Sequence, residues 1–197
     1  MYPVKTITVN LPEPNIKEIK RYARHEGDAE IPLDACLKET ENLKGRVSYC
    51  EFDISFTDEE TDLGFAKTSS KDLRKNLHKC RKIILFAATV GFEIDRMIEK
   101  YNRISPVKAL LMQAIGAERA EACCDTFNEM MKKEYSEKDL ELRPRFSCGY
   151  GDLPLVLQKD IMTALDCQKN LGIILNENLL MMPSKSVTAI IGIKDRE

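Results

Sequence analysis

The chain has 197 residues, of which 43% are hydrophobic, and its 30 basic and 32 acidic side chains leave a net charge of -2. A chain of this length and apolar content can bury a sizeable core as one domain, which argues against disorder. No lysine or arginine run is dense enough to neutralise a phosphate backbone. The apolar runs are shorter than the roughly 20 residues that span a bilayer, and no signal-peptide pattern follows Met1. We therefore expect a cytoplasmic protein that binds neither nucleic acid nor a membrane.

Seven cysteines and two histidines are the candidate soft metal ligands. The cysteines are scattered, and none forms a C-x-x-C pair of the kind that zinc and iron–sulfur sites use. We predict no metal site, and we expect most of the thiols to be small core residues. The cysteines are Cys36, Cys50, Cys80, Cys123, Cys124, Cys148 and Cys167.

The first part of the chain shows the spacing of surface-packing helices, over residues 15–24 and 32–43. The period then changes to two, which predicts a half-exposed antiparallel hairpin on either side of an acidic turn. We therefore divide the chain into an N-terminal helical segment, residues 1–45, and a second region, residues 46–197. The alternating apolar residues are Cys50, Phe52, Ile54 and Phe56.

The middle of the chain contains a continuous apolar run at residues 82–89, which predicts a buried central strand. Ser70 is a candidate N-cap of a short helix before this strand, and residues 92–101 return to helical spacing after it. Residues 136–142 are charged and are predicted to form a surface loop, and residues 155–165 are predicted to be helical.

Three apolar segments end the chain, and their β-branched content predicts late strands of the same sheet. Strands and helices are intermixed without a regular βαβ rhythm. The predicted fold is therefore α+β, a single domain with a largely antiparallel twisted sheet flanked by helices. The late segments are residues 171–175, 178–183 and 186–193.

The longest predicted helix begins at Ser105 and Pro106 and extends to residue 134. One face of this helix places Glu121 within a stripe of small and apolar side chains. The functional interpretation is a carboxylate that binds an amine. The alternative is that Glu121 lies at the edge of the stripe and is solvated or paired with a lysine.

Residues 143–154 read RPRFSCGYGDLP, a mixture that a simple connector does not need. Glycine permits positive φ and close backbone approach, whereas proline restricts φ, so this segment is expected to follow one defined path. The segment places Arg145 and Tyr150 at defined positions, and it is the strongest candidate site.

Four segments together resemble the activation (reactivation) domain of cobalamin-dependent methionine synthase, and especially free-standing proteins similar to that domain. The resemblance covers roughly residues 46–193, and its segments are KIILFAATVGFEIDRMI, SPVKALLMQAIGAERAEACCD, RFSCGYGDLPL and LNENLLMMPSKSVTAIIG. It implies a domain that binds S-adenosylmethionine and presents its methyl group to cobalamin held by another domain or protein. One electron and this methyl group convert inactive cob(II)alamin to methylcobalamin, and the protein orients the two reactants.

The resemblance also implies roles for particular residues. Arg145 is expected to bind the ligand carboxylate, and Glu121 is expected to bind the ligand amino group. Tyr150 is expected to lie near the sulfonium or the corrin. Ser147 is the fourth expected ligand residue. The alternatives are that Arg145 pairs with a surface carboxylate and that Tyr150 is a core aromatic. The loop expected to face cobalamin consists of Cys148, Gly149, Gly151 and Asp152.

Two functions follow from this resemblance. The first is an S-adenosylmethionine-binding module that reactivates a separate cobalamin-binding methionine synthase or corrinoid protein. A flavodoxin-like or other donor supplies the electron, and no turnover is expected from the chain alone. The alternative is a non-catalytic docking or regulatory protein for a corrinoid methyltransferase.

Overall fold

The structure is a computed structural model that describes residues 3–24 and 31–196. The described part of the chain contains ten strands and seven α-helices. The strands are β1 Lys5–Val9, β2 Gly45–Asp53, β3 Ser55–Phe56, β4 Thr61–Asp62, β5 Lys67–Thr68, β6 Lys82–Thr89, β7 Leu140–Leu142, β8 Ile174–Leu175, β9 Met181–Met182 and β10 Ser186–Asp195. The helices are α1 Ile16–Tyr22, α2 Leu33–Thr40, α3 Lys71–Asn76, α4 Glu93–Ile104, α5 Pro106–Ser136, α6 Gln158–Ala164 and α7 Cys167–Leu171.

The main sheet has five strands in the order β1-β2-β6-β10-β7, and every neighbouring pair is antiparallel. The central strand β6 covers the whole of the predicted run and pairs with both β2 and β10. Helices cover both faces of this sheet. Because the sheet is antiparallel and not built from βαβ units, the predicted α+β class is confirmed. The predicted hairpin is only partly right, because Cys50 and Phe52 belong to β2 of the main sheet. The chain after them forms a separate small sheet of three short strands, β3, β4 and β5.

Two cores lie on opposite faces of the main sheet. Ile84 and Phe86 of β6 face the first core, where the rings of Phe86 and Phe127 of α5 are 5.0 Å apart. Ile83 and Leu85 face the second core, which α3, α6 and α7 cover. Successive side chains of a strand point to opposite faces, so a strand buried on both faces reads as a continuous apolar run.

Helix α5 contributes many of the buried side chains of the first core. Ser105 accepts a hydrogen bond from the backbone N–H of Lys108, and Pro106 occupies the first turn, as the sequence predicts. Buried side chains continue from Ala109 to Tyr135 because α1, α2 and α4 pack around this helix. No helix in the described residues has the length and apolar content needed to cross a membrane.

Three expectations about local structure were wrong. The charged segment at residues 136–142 ends in a strand, β7, that pairs with the end of β10. The segments at residues 171–175 and 178–183 contain β8 and β9, which form their own two-stranded sheet instead of joining the main one. Short patterns predict an extended chain but contain no information about the pairing partner.

The N-terminal segment contains a strand that the sequence analysis did not predict. β1 pairs with β2 along its whole length and forms one edge of the main sheet. The predicted helices of this segment, α1 and α2, both contact α5. The division of the chain at residue 45 stays a prediction.

All seven cysteines are buried, and none forms a disulfide, as expected for core residues. Burial raises the pKa of the Cys123 thiol to about 12 and that of Cys148 to about 11. Among the residues that the structure describes, no group of three or more His, Cys, Asp or Glu side chains is placed to hold a metal ion. His25 lies outside those residues.

Candidate functional site

The segment that precedes the candidate loop lies along β10. Arg143 donates its backbone N–H to the carbonyl of Gly192 at 2.8 Å, and Phe146 and Ile190 exchange backbone hydrogen bonds of 2.8 and 2.9 Å. These contacts extend the pairing of β7 with β10 toward the middle of the strand. Arg145 lies between the two contact points, so its position follows from the sheet.

The side chain of Arg145 bridges two carboxylates of α5. Its Nη2 donates to Oε2 of Glu121 at 2.5 Å, and its Nη1 donates to Oδ1 of Asp125 at 2.6 Å. The two acids are four residues apart and therefore lie on one face of the helix. Arg145 thus pairs with surface carboxylates, as the alternative interpretation predicted. We refer to Arg145, Glu121 and Asp125 as the Arg145 cluster.

The Arg145 cluster is only partly exposed to solvent. The side chain of Arg145 is 25% exposed, against 45% for Glu121 and 68% for Asp125. Burial by itself would lower the pKa of Arg145, but the hydrogen bond to Asp125 and the negative charge of Glu121 raise it. One guanidinium and two carboxylates leave the cluster with a formal charge of -1, which favours a cationic group beside it.

The loop after Arg145 is a compact turn built on two glycines. The backbone N–H of Gly149 donates to Leu153 at 2.9 Å, and that of Leu153 donates to Tyr150 at 3.0 Å. Gly149 and Gly151 have φ values of 87° and 52°, which lie in the region that favours glycine. Tyr150 projects from this turn with 69% of its surface exposed, so the alternative that it is a core aromatic is wrong.

Asp152 fastens the loop to α3. Its carboxylate accepts hydrogen bonds from the Ser70 hydroxyl, from the backbone N–H of Lys71 at 2.8 Å and from that of Asp72 at 3.2 Å. These bonds, the Ser70 bond first, lower the pKa of Asp152. Ser70 also caps α3 through the backbone N–H of Leu73, as the sequence predicts. Asp152 therefore has a structural role at the start of α3.

A cleft of about 390 Å³ lies between the loop, α5 and the edge of β10. On the edge of β10 opposite β6, residues 186–189 pair with no strand among the described residues. The cleft is lined by Glu121, residues 145–148, Tyr150, Gln158, Met181 and residues 186–188.

The cleft therefore brings together most of the residues that the sequence analysis selected. Glu121, Arg145, Ser147, Cys148 and Tyr150 line it. The other loop residues do not line it: Gly149, Gly151 and Asp152 form the turn and its attachment to α3.

Sequence analysis missed four polar residues of this region, which are Asp125, Gln158, Ser186 and Thr188. Asp125 lies one helical turn after Glu121, so the helical period alone could have identified it. Gln158 and Thr188 are 6% and 2% exposed, and both line the cleft. Thr188 is a polar residue within an apolar segment, whereas Gln158 is followed by Lys159 and Asp160, and no local pattern distinguishes either residue from a solvent-facing one.

Comparison with known proteins identifies the family. The sequence-family model described as vitamin B12 dependent methionine synthase, activation domain, matches residues 65–196. The chain belongs to this family. The match includes α5, the loop, α6, β9 and β10, which contribute the residues that line the cleft.

A solved structure supports the same fold. The crystal structure titled as the MetH reactivation domain bound to AdoHcy aligns with a TM-score of 0.69 over 97% of this chain and 78% of that chain. The sequence identity is 14%, so this likeness concerns the fold. A search of curated proteins found no match.

Proposed function

We propose that this chain binds S-adenosylmethionine in the cleft and reactivates a cobalamin-binding methionine synthase or other corrinoid protein. The observation that carries the proposal is the Arg145 cluster, which places a guanidinium and two carboxylates beside one cleft in a member of the activation-domain family. An amino acid zwitterion needs a cation for its carboxylate and an anion for its ammonium group, and this cluster offers both.

Arg145 has donors left for a ligand. A guanidinium has five N–H groups, and the bonds to Glu121 and Asp125 use two of them. The ligand carboxylate binds the remaining donors, while its ammonium group binds Glu121. The cluster also favours the positive sulfonium, because its formal charge is negative.

The exposed side of the site is suited to a large second reactant. Tyr150 offers an aromatic face beside the cleft, and such a face attracts a cationic sulfonium. The Gly149 turn permits close approach by a corrin because glycine has no side chain. In this proposal, cob(II)alamin arrives on the partner protein, and a flavodoxin-like or other one-electron donor supplies the electron.

Calorimetric titration of the purified chain with S-adenosylmethionine tests the binding step. We expect saturable binding with one site per chain. Reductive methylation is tested by adding a cobalamin-loaded methionine synthase that lacks its own activation domain and a one-electron reductant. Methylcobalamin should form only when the chain, S-adenosylmethionine, the partner and the reductant are all present. Absence of binding in the calorimeter would contradict the proposal.

A second candidate function is a docking or regulatory protein for a corrinoid methyltransferase. The observation that favours it is that Arg145 is already neutralised by Glu121 and Asp125. In that case the cluster stabilises the loop, and the exposed Tyr150 contacts the partner. This candidate predicts that the chain forms a complex with the corrinoid protein but shows no S-adenosylmethionine binding.

A further inference from the structure

The turn that carries Tyr150 is attached to helix α3 by residues outside the cleft. Asp152 accepts hydrogen bonds from the Ser70 hydroxyl, from the backbone N–H of Lys71 at 2.8 Å and from that of Asp72 at 3.2 Å. Tyr150 lines the cleft, whereas Ser70 and Asp152 do not. An effect of this attachment on the cleft must therefore pass through the turn.

Ser70 is the centre of the attachment. Its hydroxyl donates to Asp152 and accepts from the backbone N–H of Leu73 at 3.1 Å. Its own backbone N–H donates to Oγ1 of Thr68 at 3.2 Å. Ser70 is 3% exposed, so its side chain is not placed to contact a ligand or a partner protein. One buried hydroxyl thus joins the first turn of α3 to the turn beside the cleft.

The other end of α3 is attached to the beginning of the same segment. Nδ2 of Asn76 donates to the carbonyl of Pro144 at 3.2 Å, and Nε of Arg143 donates to the carbonyl of Asn76 at 2.9 Å. Leu73 of α3 is fully buried in the second core, and this packing holds the helix in place. Helix α3 therefore supports residues 143–152 at two points.

The turn lies directly against α3. A Cβ added at Gly151, which has a φ of 52°, would collide with the carboxylate of Asp72. Tyr150 is 69% exposed, so neighbouring side chains restrain its ring little and the backbone of the turn determines where it lies. Movement of the turn away from α3 would therefore move Tyr150 relative to the cleft.

We propose that Ser70, acting through Asp152, is a positioning residue for methyl transfer because it holds the turn and Tyr150 at the cleft. This inference rests on the proposed function and adds to it a residue outside the cleft. Loss of the Ser70 hydroxyl releases the turn but leaves the Arg145 cluster on α5 in place. A misplacement of about 1 Å can lower a reaction rate about 100-fold, so we expect the defect in the rate and not in the affinity.

The test measures methylcobalamin formation by Ser70→Ala with the cobalamin-loaded partner, the one-electron reductant and saturating S-adenosylmethionine. We expect the rate to fall roughly 10- to 100-fold. The calorimetric affinity for S-adenosylmethionine should stay within about twofold of wild type, because the lost interaction acts on the rate alone. Hydrogen exchange at the backbone N–H groups of Gly149 and Leu153, which bond within the turn, should become faster.

Ser105→Ala is the matched control, because Ser105 also caps a helix, α5, but lies outside the turn and the cleft. It should keep the wild-type rate of methyl transfer. Ser70→Gly is the second variant, to be used if Ser70→Ala does not fold. Glycine is nearly as good an N-cap as serine, so this change removes the bond to Asp152 at a smaller cost to α3.

The double variant shows whether Ser70 acts through Asp152. Ser70→Ala should add little to the effect of Asp152→Ala, because the contact is already lost. A wild-type rate in a folded Ser70 variant, an equal loss in Ser105→Ala, or additive effects of the two changes would overturn the positioning role alone. Absence of methyl transfer by the wild-type chain would overturn the proposed function as well.

Discussion

Arg145 lies between Glu121 and Asp125, with N–O distances of 2.5 and 2.6 Å to carboxylates one turn apart on α5. The arginine comes from the segment paired with β10, whereas the acids come from the helix on the first core. The cluster therefore joins two regular elements of the fold, which hold its three side chains in place. A preorganised site loses less conformational entropy on binding than one that must first be ordered.

Arg145→Ala should weaken S-adenosylmethionine binding by roughly 2 to 4 kcal/mol while the fold stays intact. The variant removes the donor for the ligand carboxylate and leaves Glu121 and Asp125 close together without their shared cation. Calorimetry measures the affinity, and circular dichroism checks the fold. Arg103→Ala is the control, because Arg103 and its partner Glu99 lie on the exposed face of α4. Equal affinities in wild type and Arg145→Ala would contradict the assignment.

Glu121→Gln should weaken ligand binding more mildly than Arg145→Ala. The amide keeps an acceptor for the ligand ammonium group but loses the negative charge. Asp125→Asn is the matched comparison, because Asp125 also bonds Arg145 but does not line the cleft. We expect a smaller change for Asp125→Asn. A change in thermal stability without a change in affinity would make Glu121 purely structural.

Asp152→Asn should lower the midpoint of thermal unfolding at neutral pH. Hydrogen bonds from Ser70 and from the first backbone N–H groups of α3 lower the folded-state pKa of Asp152. A carboxyl whose pKa is lowered by folding stabilises the protein above its unfolded pKa, and this contribution is lost as the pH falls through the folded value. The difference between wild type and variant should therefore vanish in strongly acidic solution. Asp58→Asn, in the exposed turn before β4, should have a smaller effect at neutral pH.

Gly149→Val should block methyl transfer to a cobalamin-loaded partner with little loss of S-adenosylmethionine affinity. A Cβ at Gly149 would lie 3.5 Å from Leu155, an ordinary contact, but the positive φ makes the substitution strained. Gly172→Val is the matched control, because Gly172 also has positive φ and an added Cβ there would have no atom within 4 Å. Methylcobalamin formation, followed by absorbance, should survive in Gly172→Val. Wild-type rates in Gly149→Val, or tight cobalamin binding by the isolated chain, would show that the loop does not face the corrin.

Arg119→Met should destabilise the fold by about 3 to 5 kcal/mol, because it leaves a buried carboxylate without its cation. Arg119 and Glu118 are 5% and 6% exposed at their side chains and lie 2.5 Å apart. Arg119 also donates to the carbonyl of Pro12, and Glu118 accepts from the backbone N–H of Asn15. The pair thus attaches the chain before α1 to α5. Urea denaturation measures the loss, and the exposed Arg103→Met should change stability by less than about 1 kcal/mol.

The sequence analysis correctly predicted the elements that have a long apolar run or a clear N-cap. The apolar run of β6, the cap and proline that begin α5, and the N-cap at Ser70 were all predicted because each depends on residues close together in the chain. Short segments were different. β7, β8 and β9 have two or three residues each, so their sequence indicates extended structure but the rest of the fold selects their partners.

The sequence by itself determined the α+β class, the position of the loop and its resemblance to the activation-domain family, because these depend on local order along the chain. Only the tertiary structure decided that Arg145 meets Glu121 across 24 residues and that Gln158 and Thr188 line the same cleft. A hydrogen bond forms only within a narrow range of donor–acceptor distances. Contacts between residues far apart in the chain therefore become known only when the positions of the atoms are known.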